Sequence, residues 1–412
     1  MPITWVIQCS AVVVGPASLQ ECVPVPGRRR IALSLAALSS AVAALAGTFP
    51  AHADKELNRD SGGVRLNQIQ VIATHNSYHR ELTDAEKAVQ ARRDANWWNL
   101  AYSHASHASL PLQFSAQRVR GIELDILPDP DGGLYTAPIV RREAGLGTIE
   151  DPELKKPGFK VLHWGDHDYG TSCSSLRTCL SQARAWSDDN PGHVPIPVLL
   201  EFKSTDPAYE KLGGPRSPRW DAGLMDALDA EIRSVVGDKK IIKPDDLRRP
   251  GLTLEQSVLR YGWPTLEQSR GRFLFLMDNQ GADIQSPYLT GRPNLEGRVI
   301  FTNAVPGRPD AAFVKLNEPT GTGLAQIQDL VRRGYFVRTR SDVPFEEART
   351  GDTTQLKAAL DSGAQVVSTD FPVVGMAARN GSDYVAQLPG AEPARCNPVN
   401  APRTCRPANL ER

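Results

Sequence analysis

The sequence predicts an α/β protein of the (β/α)8 barrel type, irregular and built as a single domain. Two observations carry this prediction. Eight apolar, β-branched runs alternate with helix-prone stretches along the chain, with no fixed-period repeat. The competing doubly wound sheet wants a Gly-rich nucleotide loop after its first strand, and none follows residues 69–74.

The chain has 412 residues and carries 47 basic and 47 acidic side chains. With no global basic field, nucleic acid is not expected as a partner. Residues 1–53 read as a secretory leader. Arg28, Arg29 and Arg30 precede the apolar run Ile31 to Ala46, and Ala51-His52-Ala53 has the small-residue pattern of a cleavage site. The run is short and rich in Ala and Ser for a membrane span, so no transmembrane anchor is expected after cleavage. Val23 or Val25 are alternative initiators, and the adjacent arginines keep twin-arginine export open beside the general route. Cleavage before Asp54 leaves four cysteines in two local pairs, Cys173 with Cys179 and Cys396 with Cys405. In an exported chain these pairs predict two short-loop disulfides. The barrel domain is expected over 54–385 and a Pro-rich tail, lying on the surface, over 386–412.

Taken in order, Ile69 to Thr74 is a buried strand ending at His75-Asn76-Ser77. Thr83 to Asn96 is a charged surface helix, and Trp97, Trp98 and Tyr102 form an aromatic patch read as core packing. A helix around 110–119 leads to the strand 121–127. Residues 128–157 lack a sustained period and read as a long functional loop or a small hairpin insertion. Strand 159–163, helix 174–187 and strand 196–202 follow, the helix stopped by Asp188-Asp189-Asn190-Pro191-Gly192. Helices near 220–236 and 254–261 precede strands 273–277 and 299–303. Helix 324–333, strand 335–339, helix 354–362 and strand 365–369 complete the barrel.

In such a barrel, chemistry sits where the strands end. Strand one ends in His75 and Asn76, and Glu123 and Asp125 share one face of strand two because they are two residues apart. Strand three ends in His163, strand four in Glu201 and Lys203, strand seven in Arg338 and Arg340, and strand eight in Asp370. An isolated Glu-x-Asp is more often a solvated strand end. Four successive strands ending in histidine, paired acids, histidine and acid are more than packing requires. Asn76, Glu123, Asp125 and Glu201 offer hard oxygen ligands suited to one Ca2+ ion. Two histidines can share proton work, while Lys203 with Arg338 or Arg340 can hold phosphate oxygens. Lys203 can equally be the partner of Glu201, and Asp370 can orient a histidine or arginine rather than touch substrate.

These residues carry a resemblance. Thr74-His75-Asn76-Ser77-Tyr78-His79, Gly121-Ile122-Glu123-Leu124-Asp125, Val161-Leu162-His163 and Leu199-Leu200-Glu201-Phe202-Lys203 resemble the X region of phosphoinositide-specific phospholipase C. The stretches 166–180 and 183–193, with Thr369-Asp370-Phe371-Pro372, resemble more closely the secreted, calcium-dependent phospholipase C-like family of bacteria and fungi. The match covers most of 65–380. It implies His75 as the first catalytic histidine and Asn76, Glu123, Asp125 and Glu201 as calcium ligands. It further implies His163, preferred over His167, as the acid toward the leaving diacylglycerol. The inositol 2-hydroxyl would attack phosphorus to give a cyclic phosphate that water later opens. The expected partner is a phospholipid, or a soluble phosphodiester, met at a membrane surface by a monomer. The animal enzymes' accessory domains and lysine-rich headgroup contacts are not seen here. A glycerophosphodiester phosphodiesterase shares the order of residues but has His-Arg-Gly where this chain has His75-Asn76-Ser77. A non-catalytic lipid- or glycan-binding barrel would show a broken site.

Overall fold

The computed structural model describes residues 63–93, 102 and 104–412. The leader expected at 1–53 and the tryptophans Trp97 and Trp98 lie outside the described residues. The strands are β1 (Ile69–Thr74), β2 (Ile122–Asp129), β3 (Gly158–Val161), β4 (Ile196–Phe202), β5 (Ile241–Ile242) and β6 (Phe273–Met277). They continue as β7 (Ile300–Phe301), β8 (Phe313–Lys315), β9 (Phe336–Arg340), β10 (Val366–Thr369) and β11 (Arg395–Cys396). They form a mixed α/β fold with two sheets, ordered β11-β1-β10-β9-β8 and β3-β2-β4-β6-β5, with β7 also on β6. Ala73 of β1 makes a single parallel bridge to Gly121, and Asn303 just past β7 makes one to Phe313 of β8.

β1, β2 and β6 are buried along their whole length. For β6 that explains a continuous apolar run, whereas β2 alternates and buries its acids Glu123 and Asp125 as well. The amphipathic helices 176–189 and 222–236 bury Leu176, Leu180, Ala183, Met225, Leu228 and Ile232 in the same core as Val198, Leu200 and Phe275. Gly121 is needed where β1 and β2 meet: a Cβ there would stand 2.7 Å from that of Ala73.

Two expectations are corrected. The run 159–163 is not a further parallel strand, since β3 pairs antiparallel with β2, Ile126 opposite Val161 and Asp129 opposite Gly158. A parallel return needs a crossover helix. The connection before β3 holds only the short helices 139–143 and 152–155, so the chain folds straight back. The third parallel position beside β4 goes to β6, and the three-residue β8 is too short to leave a period in the sequence. The tail, in turn, is not merely laid on the surface. β11 adds an antiparallel edge to β1 at Ile69 and Gln70. Leu410 is buried, and Glu411 grips the buried Arg120 with both oxygens at 2.6 and 2.8 Å.

Both expected disulfides are present, Cys173–Cys179 and Cys396–Cys405. Replacing Cys396 and Cys405 by Ser should cost about 2–3 kcal/mol of stability, seen as a lower thermal midpoint. Activity at low temperature should be retained, because β11 pairs with the start of β1 and His75 follows its other end.

Candidate active site

The loop after β1 is fixed from both sides. Thr74 Oγ1 donates to Gln113 Oε1 at 2.6 Å, and Gln113 Nε2 donates to the Ser77 carbonyl at 2.7 Å. Ser77 N donates to the Glu123 carbonyl at 3.0 Å, while Glu123 N donates to Ser77 Oγ at 2.8 Å. The loop is thereby stitched to β2. Asn76 sits in the left-handed region with φ 45°, which asparagine tolerates better than most residues. Its side chain is buried, and neither its oxygen nor its nitrogen has a hydrogen-bond partner.

His75 Nδ1 meets Asp370 Oδ1 at 2.9 Å and the Tyr102 hydroxyl at 3.1 Å, and its Nε2 lies 3.7 Å from Glu123 Oε1. Asp370 is held in turn by Arg340 at 2.8 Å, and Arg340 also reaches Asp342 at 3.1 Å. Burial first, and then the Arg340 charge, pulls the His75 pKa down to about 3, so its imidazole is neutral. The Asp370 carboxyl is held well below the usual range by His75 and Arg340 against the opposing effect of burial.

Glu123, Asp125 and Glu201 bring one carboxylate oxygen each to within 4.8 Å of one another. The parallel register sets Asp125 opposite Glu201, so this proximity follows from the pairing of β2 with β4. Arg338 donates to Glu123 at 2.7 Å and to Ser368 at 3.0 Å. Lys203 Nζ stands 2.9 Å from Glu201 and 3.1 Å from Asp125, over the Trp164 ring. Lys203 thus bridges the two acids as an ion pair, and beyond it neither buried Asp125 oxygen has a hydrogen-bond partner. Arg338, Arg340 and Lys203, the groups expected to hold phosphate, thus each face a carboxylate.

His163 lies just past β3, its Nδ1 2.6 Å from Asp168 Oδ2. Tyr102 stands between the two histidines, its ring centre 6.0 Å from that of His75 and 5.3 Å from that of His163. His167 is stacked between Trp164 and Tyr209. The side chains of His75 and His163 keep 13% and 14% of their surface and Glu201 keeps 28%, against 4% for Glu123 and none for Asp125. The accessible groups are therefore the two imidazoles and the outermost acid. A cavity of about 670 Å3 opens beside Asn76, Tyr102 and Asp370. Sequence reasoning missed Asp168 and Tyr102. Asp168 follows His163 by five residues in an irregular loop, a spacing with no periodic signature, and Tyr102 reads in the sequence as a packing aromatic.

A family model for Ca2+-dependent phosphoinositide phospholipase C matches residues 64–398. The chain belongs to that family. This phospholipase C is a calcium-dependent phosphodiesterase. Among solved structures it is similar to a calcium-dependent phosphoinositol-specific phospholipase C from Pseudomonas sp. The identity is 16% and the TM-score 0.49, over 81% of this chain and 95% of that one. It is also similar to a Ca2+-dependent phosphatidylinositol-specific phospholipase C from Streptomyces antibioticus. There the identity is 17% and the TM-score 0.45, over 75% and 96%. No curated protein matches this chain in sequence.

The carboxylate cluster of this phospholipase C fits a hard divalent cation. Three acids face two cationic side chains, and the buried oxygens of Asp125 and Asn76 lack hydrogen bonds, a costly arrangement unless an ion takes them up. Burial raises the Asp125 carboxyl well above its ordinary range and pushes Glu123 up to about 7, with Arg338 opposing the latter. A folded-state pKa above the ordinary one contributes stability that is present at low pH and lost as pH rises through about 7. From Glu123 alone, the chelated protein should lose on the order of 3 kcal/mol between about pH 4.5 and 7. Calcium should restore it, so the calcium-induced rise in melting temperature should grow with pH. Scanning fluorimetry with and without chelator checks this; a calcium shift independent of pH would remove these carboxyls from the metal site.

Proposed function

We propose that this phospholipase C cleaves the glycerol-side P–O bond of phosphatidylinositol-type phospholipids through a cyclic inositol phosphate. The observation that carries the reading is the convergence of Glu123, Asp125 and Glu201 beside His75. Asn76, Glu123, Asp125 and Glu201 are the residues that would hold one Ca2+, which when bound neutralises charge at the phosphate and acidifies a nearby hydroxyl. His75, neutral and fixed by Asp370 at Nδ1, presents Nε2 to take the proton of the inositol 2-hydroxyl as its oxygen bonds to phosphorus. A proton on His163 Nε2 passes to the glycerol oxygen as the P–O bond breaks. In the second half, His163 takes a proton from water and His75 returns one to the 2-hydroxyl oxygen, by microscopic reversibility. Arg338, Arg340, Asp370 and Lys203 then act chiefly by holding these groups, with Lys203 nearest the outer rim for a phosphate oxygen.

The eight parallel strands β1, β2, β4 and β6 to β10 are read as closing into an irregular (β/α)8 barrel over 54–385. The bridges Ala73–Gly121 and Asn303–Phe313, at the two joins between the sheets, support this. Export of the mature chain, with removal of residues 1–53, is supported by the leader pattern and the two disulfides. Among the described residues no helix is long and apolar enough to cross a membrane.

Phosphorus NMR on phosphatidylinositol vesicles tests the reaction. The expected result is a transient cyclic inositol phosphate that appears with calcium and vanishes with chelator. Direct release of glycerophosphate from a deacylated substrate, with no cyclic species, would overturn it.

A further inference from the structure

The geometry points to Asp168 and His79 as a positioning pair that holds the reactive imidazole of His163 in a single tautomer, an inference that rests on the catalytic reading of His163 above. The carboxylate of Asp168 bridges two rings. Oδ1 meets His79 Nε2 at 2.7 Å and Oδ2 meets His163 Nδ1 at 2.6 Å. Asp168 is almost wholly buried, and its two imidazole partners hold its carboxyl well below the usual range although burial opposes them. It is therefore an acceptor at both oxygens, and both facing nitrogens must carry hydrogen. The other His79 nitrogen, Nδ1, faces the Ala105 carbonyl at 3.1 Å, which also only accepts. His79 thus donates in both directions and compensates the carboxylate. His163 spends its Nδ1 hydrogen on Asp168 and keeps Nε2 for the reaction.

The backbone is built to hold this arrangement. Residues 78–80 pair with 170–172: Arg80 N donates to the Gly170 carbonyl at 3.0 Å, and Ser172 N to the Tyr78 carbonyl at 2.7 Å. Any side chain at position 170 would run into the Arg80 carbonyl, so glycine is required there. Trp164 N donates to the Asp168 carbonyl at 2.9 Å, closing the turn that brings Asp168 back onto His163. The three side chains also form a ligand set of two imidazoles and a carboxylate. Both Asp168 oxygens, His79 Nε2 and His163 Nδ1 are already hydrogen-bonded to one another, so this arrangement is accounted for without an ion.

The test combines nitrogen NMR of histidine-labelled full-length protein with steady-state kinetics on phosphatidylinositol vesicles in calcium. Asp168→Asn places an amide that can donate to His163 Nδ1 and so drives the proton to Nε2. The expected kcat loss is about 10²-fold or more with KM changed less than about threefold, and the NMR should report the switched tautomer. His79→Gln keeps one donor for Asp168; it should retain the Nδ1–H tautomer of His163 and lose only about tenfold in kcat. In a His163→Ala background, Asp168→Asn should cost less than about twofold more, because its effect passes through that ring. Additive losses, or a folded Asp168→Asn enzyme with normal kcat and unchanged tautomer, would overturn the positioning role. An Nε2–H tautomer of His163 in the unmutated protein would overturn it even if no variant folds. Full activity of His163→Ala would instead sink the catalytic reading of His163 itself, and the pair's role with it.

Discussion

Asp125→Asn should abolish calcium-dependent turnover, with kcat lowered by at least about 10³-fold and calcium affinity by about 10- to 100-fold. The same change should leave the chelated protein as stable as before, or more stable by about 1–2 kcal/mol. The reason is that Asp125 is the most completely buried of the three acids, and burial already disfavours its charged form. Its ion-pair partner Lys203 still has Glu201 once Asp125 is neutralised. An amide removes a buried charge and its repulsion with Glu201 and Glu123 while preserving shape. Calorimetric titration with calcium and melting curves in chelator separate the two effects. A variant that binds calcium normally would contradict the ligand role of Asp125, and one that unfolds in chelator would contradict the cost assigned to its buried charge.

His75→Ala should lower kcat on the order of 10³-fold with KM little changed, since the imidazole supplies proton transfer and not binding. Its neighbours survive the truncation: Asp370 keeps Arg340, and Tyr102 lies within 3.5 Å of Asp370. Loss of activity without loss of fold is therefore expected, and circular dichroism beside the kinetics checks it. Asp370→Asn should cost less, about 10²-fold, because it acts by holding Nδ1. A His75→Ala enzyme within tenfold of the parent would remove His75 from the chemistry.

Much of this site was legible because its residues come as strand-end pairs. Glu123 and Asp125 share a face by the two-residue period of β2, and the run Leu199 to Lys203 announced where β4 would stop. Strands without a periodic signal escaped: β8 is three residues long and β5 only two. The direction of β3 was also hidden, since an apolar run reads the same parallel or antiparallel. His163 nevertheless reaches the site, because the antiparallel return brings the chain from Gly158 back to the level of Ile126. Sequence position leaves Asp370 between orienter and substrate contact, and its 2.9 Å bond to His75 supports the orienter reading.

What the chain determined by itself was the set of local properties: which runs are apolar enough to be buried strands, where they end, and which oxygen- and nitrogen-bearing side chains stand at those ends. Only the tertiary structure decided who faces whom, because pairing between strands far apart in sequence depends on register and on how each connection crosses. That is why the acids could be named in advance as a cluster, whereas the bridge from His163 through Asp168 to His79 became visible only once the 166–173 loop lay against the turn after β1.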